Sequence, residues 1–119
     1  MATASADLRI YSVARVRDIE RSALQSLPAG TLMSRAGAAT AELALNMLGP
    51  DSKDPVLVLA GPGNNGGDAL EAAARLSEHG VSVLAVLMAD PQRLPTDALN
   101  AYQRAVDAKV KFVDRFDVT

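Results

Sequence analysis

Five consecutive apolar residues, Val56 to Ala60, run directly into Gly61-Pro62-Gly63-Asn64-Asn65-Gly66-Gly67-Asp68. This junction constrains the fold more than any other stretch. A short unbroken apolar run rich in β-branched residues suits a strand buried on both faces, as in a parallel sheet. The glycines then force a turn. Beyond it, Asp68 to Glu78 places Leu70, Ala73, Ala74 and Leu76 on the inner side of a helix, and His79-Gly80 closes that helix.

The rest of the chain extends the pattern. Val81 to Met88 reads as a second buried strand, "ADPQRLPTDA" as a loop, and Val110 to Val113 as a third strand. Thr96 or Asp97 can cap a helix carrying Leu99, Tyr102 and Val106. Upstream, Val13, Val16, Ile19, Ala23, Leu24 and Leu27 recur at helical spacing over Ser12 to Leu27. Pro28 and Gly30 break that helix. Thr31 then caps a second one, whose apolar line is Leu32, Ala36, Ala39, Leu43 and Met47, stopped by Gly49-Pro50. Met1 to Leu8 is small and polar, an expected frayed end.

Two leading helices followed by β-α-β-α-β imply an α/β fold with a parallel sheet and right-handed crossovers. In such a sheet the second and third strands lie to one side of the first. Val56 to Ala60 would then keep one edge without a partner, and a bare apolar edge invites association. The expectation is that residues 1–119 are the front part of a longer domain, or that another chain or segment covers that edge.

Composition narrows the function. The chain has 119 residues, enough for one domain, with 49% apolar residues and a net charge of −2. A core can form, and nothing basic invites nucleic acid or an anionic membrane. No Trp, two Phe and two Tyr make base-stacking platforms an unpromising reading. The absence of Cys removes disulfides, thiolate zinc sites and cysteine nucleophiles together. "MATASADLRIYS" lacks the apolar segment of a secretory signal, and no run reaches the ~18 apolar residues of a membrane span. The expected location is the cytoplasm.

A glycine turn at the carboxyl end of a buried strand sits where open α/β sheets bind ligands. Bare backbone lets N–H groups approach an anion, and the following helix adds unpaired N–H groups and a partial positive charge. Phosphate or pyrophosphate is the first ligand to consider. Gly61 and Gly66 have the spacing of an ATP-binding P-loop, but Gly67-Asp68 stands where its Lys-Ser belongs. Gly61, Gly63 and Gly66 match the dinucleotide pattern G-x-G-x-x-G, with Asp90 the nearest acid for a ribose. The carboxamides of Asn64 and Asn65 suit a hard cation such as K⁺, Na⁺ or Mg²⁺, and Asp68 can hold a hydroxyl. Against these stand plainer roles: left-handed turn conformations for the asparagines and an N-cap for Asp68.

"VLAGPGNNGGDALEAAARL", Val58 to Leu76, resembles the signature of the NAD(P)H-hydrate epimerase family, the YjeF N-terminal-type domain. "LMSRAGAATAE", Leu32 to Glu42, resembles that family's Leu-Met-x-x-Ala-Gly helix, and "SVARVRDIERSAL" its opening. The resemblance spans essentially the whole chain. It departs at Ala69, where the family usually has a further glycine. It implies a Rossmann-like three-layer α/β/α fold and an isomerase. The implied reaction interconverts the R and S epimers of NADHX or NADPHX, so that an ADP- or ATP-dependent dehydratase, fused or separate, can restore the cofactor. It further implies substrate contacts at Asn64, Asn65, Gly66, Gly67 and Asp68, a potassium ion on Asn65, and a homodimer. The family's later Asp-Ala-Leu-x-Gly-Thr-Gly motif, associated with a catalytic aspartate, does not follow Asp114 or Asp117. By this resemblance the catalytic aspartate is expected beyond Thr119, so that residues 1–119 carry half the site and do not epimerise alone. The alternatives are a non-catalytic nucleotide-binding or scaffolding module on the same fold, and a conventional NAD-dependent oxidoreductase. Elsewhere, His79 is expected to favour the helix dipole, Arg35 to lie on a polar side, Met33 and Met47 to form core or dimer contacts, and Tyr102 and Phe112 to be core.

Overall fold

Parallel strands cannot be joined by a tight turn, so each pairing needs a crossover, and the chain supplies one helix for each. The computed structural model describes residues 10, 12–26, 28 and 30–114. Its helices are α1 (Val13–Ser26), α2 (Thr31–Leu48), α3 (Asn64–Glu78) and α4 (Thr96–Asp107). The strands are β1 (Val56–Ala60), β2 (Val83–Leu87) and β3 (Lys111–Phe112), and a 3₁₀ turn spans Pro91–Arg93. Met1 to Leu8, Leu27, Asp117 and Thr119 lie outside the described residues, and so does the catalytic aspartate expected beyond Thr119.

All pairings are parallel, in the order β1-β2-β3. Val56 faces Val83, Val58 faces Ala85 and Ala60 faces Leu87. These side chains turn toward one helical layer, where two apolar clusters form. The first joins Ala41 of α2, Ala72, Ala73, Ala74 and Leu76 of α3, Val83 and Ala85 of β2, and Ala105 of α4. The second joins Met33, Ala60, Leu70, Leu94, Ala98 and Ala101. Leu70 and Leu76 are fully buried, each contributing roughly 1.5–3 kcal/mol. Most other members are alanines, so α3 lies close against α2 and α4.

That close approach reassigns the inner faces. On α2 the buried residues are Met33, Gly37 and Ala41, and Leu43 and Met47 point to solvent. On α4 they are Ala98, Ala101 and Ala105, with Leu99 and Tyr102 flanking and Val106 exposed. The expected lines included Leu43 and Met47 on α2 and Val106 on α4, but the buried positions are mostly small residues, Gly37, Ala41, Ala98, Ala101 and Ala105. Met33 is core and Met47 is not. Tyr102 and Phe112 are half-buried, with ring centroids 5.2 Å apart. Val13, Val16 and Ile19 of α1 remain exposed.

Among the described residues β1 is an edge strand, and it is not buried on both faces. Leu57 and Leu59, which point away from the helical layer, are 47% and 58% exposed. Of the three layers expected, the described residues show two, the sheet and the helices on one of its faces. β2 and β3 are shorter than expected, although the flanking Met88 N–H still donates to the Ala60 carbonyl at 2.8 Å and the Val113 N–H to the Ala85 carbonyl at 2.9 Å. Thr31 does not cap α2. Its hydroxyl donates to the Pro28 carbonyl at 2.7 Å, and the cap position is Gly30 at φ +80, a left-handed conformation that glycine adopts without strain. α4 likewise takes Pro95 as its cap residue, with no side-chain cap bond from Thr96 or Asp97.

Candidate functional site

β1 ends at Ala60, and only Gly61-Pro62-Gly63 separate it from α3. The helix was expected from Asp68 and begins four residues earlier, at Asn64. Asn-Asn-Gly-Gly is a poor helix start by propensity. Packing overrides it. Gly66 sits against the backbone of Gly61, where a Cβ would overlap the carbonyl. Gly67 sits under the Met33 thioether and 3.0 Å from the Ala98 Cα, measured from where its Cβ would stand. Both glycines are buried.

Gly63 is the N-cap residue, in an extended conformation and without a side-chain cap bond. The first bond of the α3 ladder runs from the Gly67 N–H to the Gly63 carbonyl, at 3.2 Å. The amides of Asn64, Asn65 and Gly66 precede it, so they belong to the group that a helix leaves without acceptors of its own. The Asn64 and Asn65 side chains are exposed beside them, and Asp68 is half-buried one turn further on. Asp68 is thus no N-cap. The left-handed role for the asparagines also fails, because both are helical and Lys109 is the only non-glycine with positive φ among the described residues.

The arrangement offers an anion three amides at the positive end of a 15-residue helix, at the carboxyl edge of β1. Asn65 adds a neutral, hard carboxamide oxygen of the kind an alkali cation accepts. Among the described residues no group of three or more His, Cys, Asp or Glu is placed to hold a metal. Asp90, the candidate ribose acid, accepts from the Gln92 N–H at 2.9 Å and caps the 3₁₀ turn. Its carboxylate has a structural task, which weakens the oxidoreductase alternative.

Sequence reasoning missed Glu71. Its side chain points inward from α3, and the residue is 4% exposed. Arg75 Nε donates to its Oε1 at 3.3 Å, and Arg104 of α4 reaches its Oε2 at 2.5 Å. Arg75 Nη2 also donates to the Ser34 hydroxyl of α2 at 2.8 Å. The available signal was an acid among the inward positions of α3 with an arginine four residues on. His79 closes α3, its Nδ1 2.7 Å from the Arg75 carbonyl. Arg35 is exposed.

A depression of about 870 Å³ lies at the other end of the sheet, bordered by Leu45, Pro50, Lys53, His79 and Ser82 among others. None of its lining residues belongs to the glycine turn or the first turn of α3. The carboxyl end of β1 remains the better candidate, because there the amides and the helix dipole converge.

A profile of the family described as YjeF-related protein N-terminus matches residues 29–118. The chain is 50% identical over 93 residues to an NAD(P)H-hydrate epimerase of Achromobacter xylosoxidans, covering 77% of this chain and 42% of that protein. It is 48% identical over 94 residues to an NAD(P)H-hydrate epimerase of Bordetella pertussis, covering 79% and 40%. A bifunctional NAD(P)H-hydrate repair enzyme of Mycobacterium leprae is 42% identical over 99 residues, 80% of this chain and 21% of that protein. The chain thus spans less than half the length of these relatives. The crystal structure of yeast ynu0 superposes with a TM-score of 0.79 at 22% identity, covering 94% of this chain and 49% of that one. At that identity the superposition speaks for the Rossmann-like α/β fold alone.

Proposed function

The chain belongs to the family of YjeF-related protein N-termini, and on that membership we propose that it supplies the nucleotide-binding loop of an NAD(P)H-hydrate epimerase. The reaction is interconversion of the R and S epimers of NADHX and NADPHX. One observation carries the reading: the uncapped first turn of α3, where the Asn64, Asn65 and Gly66 amides stand at the carboxyl end of β1. The anionic part of the dinucleotide seats on those amides. Asn64 and Asn65 add carboxamide contacts, and Gly66 and Gly67 contribute backbone only, since their Cα faces are filled by protein. Asp68, one turn on, completes the set of substrate contacts.

A potassium ion fits the neutral oxygen donor that Asn65 presents, and when bound it supplies positive charge beside the nucleotide. The same reading includes a homodimer in the cytoplasm, working with an ADP- or ATP-dependent dehydratase, fused or separate. The bifunctional name of the Mycobacterium leprae relative supports the dehydratase pairing. No described helix is long and apolar enough to cross a membrane.

The test is to incubate the protein with the R epimer of NADPHX and resolve the epimers by chromatography, in potassium and in potassium-free buffer. We expect residues 1–119 to bind NADPHX, more tightly with potassium, and Asn65→Ala to lose both the affinity and its potassium dependence. The S epimer should appear only when the residues carrying the expected catalytic aspartate are also present. Tight NADPHX binding with no interconversion even when those residues are present would instead support the non-catalytic module. No binding at all would remove both readings.

A further inference from the structure

We infer that Glu71 is a positioning residue for the loop: through Arg75 and Arg104 it fixes where α3 sits between α2 and α4, and so where the Asn64, Asn65 and Gly66 amides stand. The inference rests on the binding role proposed above for those amides.

The first turn of α3 has little of its own to hold it. Asn64 and Asn65 are exposed, and Gly66 and Gly67 have no side chains. The turn is in contact with the Gly61 backbone, Met33 of α2 and Ala98 of α4. These contacts are close but non-directional, and small surfaces resist sliding weakly. Hydrogen bonds are directional, and those centred on Glu71, one turn further on, reach both neighbouring helices. The Glu71 carboxylate is held on Oε2 by Arg104 of α4 and on Oε1 by Arg75, whose Nη2 is bonded to Ser34 of α2. Ser34 adjoins Met33 in sequence. The two helices that close on Gly67 are therefore the two that are keyed to Glu71.

The Glu71 stem also fills the notch left by Gly37, where a Cβ would overlap its Cγ. A carboxylate this buried cannot leave its guanidinium partners without being stranded. α3 is thus fixed along its axis as well as across it. The three amides move with the helix as a group, and displacements on the order of 1 Å are enough to spoil a binding or reaction geometry.

The test compares Glu71→Gln, which keeps the stem and one acceptor, with Arg104→Lys, which alters a half-exposed partner. Amide resonances are recorded by nitrogen-15 NMR without ligand, and NADPHX affinity is measured by titration. We expect both variants to keep their circular dichroism and to shift the Asn64, Asn65 and Gly66 resonances along with those of the rest of α3. Affinity should fall about tenfold in Glu71→Gln and less in Arg104→Lys. A brace that only stabilises the fold lowers the thermal midpoint and moves neither readout, and that result overturns the inference. If Glu71→Gln does not fold, Arg104→Lys decides by the same readouts. If the resonances move but the parent protein binds no NADPHX, the binding reading fails and the positioning role stands. If the parent binds and the resonances stay, the positioning role alone fails.

Discussion

Gly37 of α2 lies so close to the side-chain stem of Glu71 on α3 that a Cβ at position 37 would overlap Glu71 Cγ and Cβ. Alanine ordinarily improves a helix by about 1 kcal/mol over glycine. Here the neighbour cannot swing aside, because its carboxylate is anchored on two arginines. Overpacking of this kind costs ~1–3 kcal/mol, so Gly37→Ala should destabilise by a net of up to about 2 kcal/mol in urea unfolding. Placing the same change on a Glu71→Ala background empties the notch, and the sign should reverse. A Gly37→Ala protein more stable than its parent would sink this account of the α2–α3 contact.

The glycines of the loop separate in the same way. At Gly66 an added Cβ meets the carbonyl of Gly61, which is backbone and cannot rotate away. Gly66→Ala should cost roughly 2–3 kcal/mol and shift the first turn of α3. At Gly63 nothing lies within 4 Å of the added carbon, and φ is −103. Gly63→Ala should cost about 0.5–1 kcal/mol, the difference between a fair N-cap and a poor one. Thermal midpoints of the two variants measured side by side check the contrast. Equal losses would mean that the Gly66–Gly61 contact is not what fixes the turn.

The strands and the order of elements were legible because apolar runs and helix breakers alternate along the chain. Val56 to Ala60 was read with its observed bounds, and the stops at Gly49 and His79-Gly80 were read as such. Faces were harder. Periodicity points to the stripe with the largest apolar side chains, whereas close helix packing selects the smallest. The inner face of α2 therefore runs through Gly37 and Ala41, and Leu43 points out. The helix start was misplaced for a related reason. Local propensity argues against helix at Asn64 to Gly67, and only contacts with Gly61, Met33 and Ala98, distant in sequence or across a turn, put it there. Glu71 was overlooked because an acid with an arginine four residues on reads as a surface pair until Arg104 arrives from another helix.

The ion network yields an asymmetric expectation. Arg104 is 46% exposed in its side chain, whereas Glu71 is 6% exposed. Removing Arg104 leaves a buried carboxylate with one partner at 3.3 Å. Arg104→Ala should therefore cost roughly 2–3 kcal/mol, the penalty of a poorly compensated buried charge. Glu71→Ala removes the charge itself, and both arginine heads can return to water. Its cost should be smaller, about 1–2 kcal/mol, chiefly lost packing of the stem. Denaturant midpoints rank the two variants, and a larger loss for Glu71→Ala would contradict the reasoning.

The exposed first turn of α3 lets stability and binding be pulled in opposite directions. Asn64 is the first residue of the helix, and its side chain is exposed. An aspartate there adds a negative charge at the positive end of the helix, worth about 0.3–1 kcal/mol of stabilisation. The same charge stands where the dinucleotide's anionic part is proposed to seat, and like charges at that range repel. Asn64→Asp should raise the thermal midpoint slightly and weaken NADPHX binding severalfold, most at low ionic strength, where screening is least. Asn64→Ser keeps a polar side chain without the charge and should leave the salt dependence of binding as it is in the parent. If Asn64→Asp binds NADPHX as tightly as the parent in low salt, the anion does not lie on these amides.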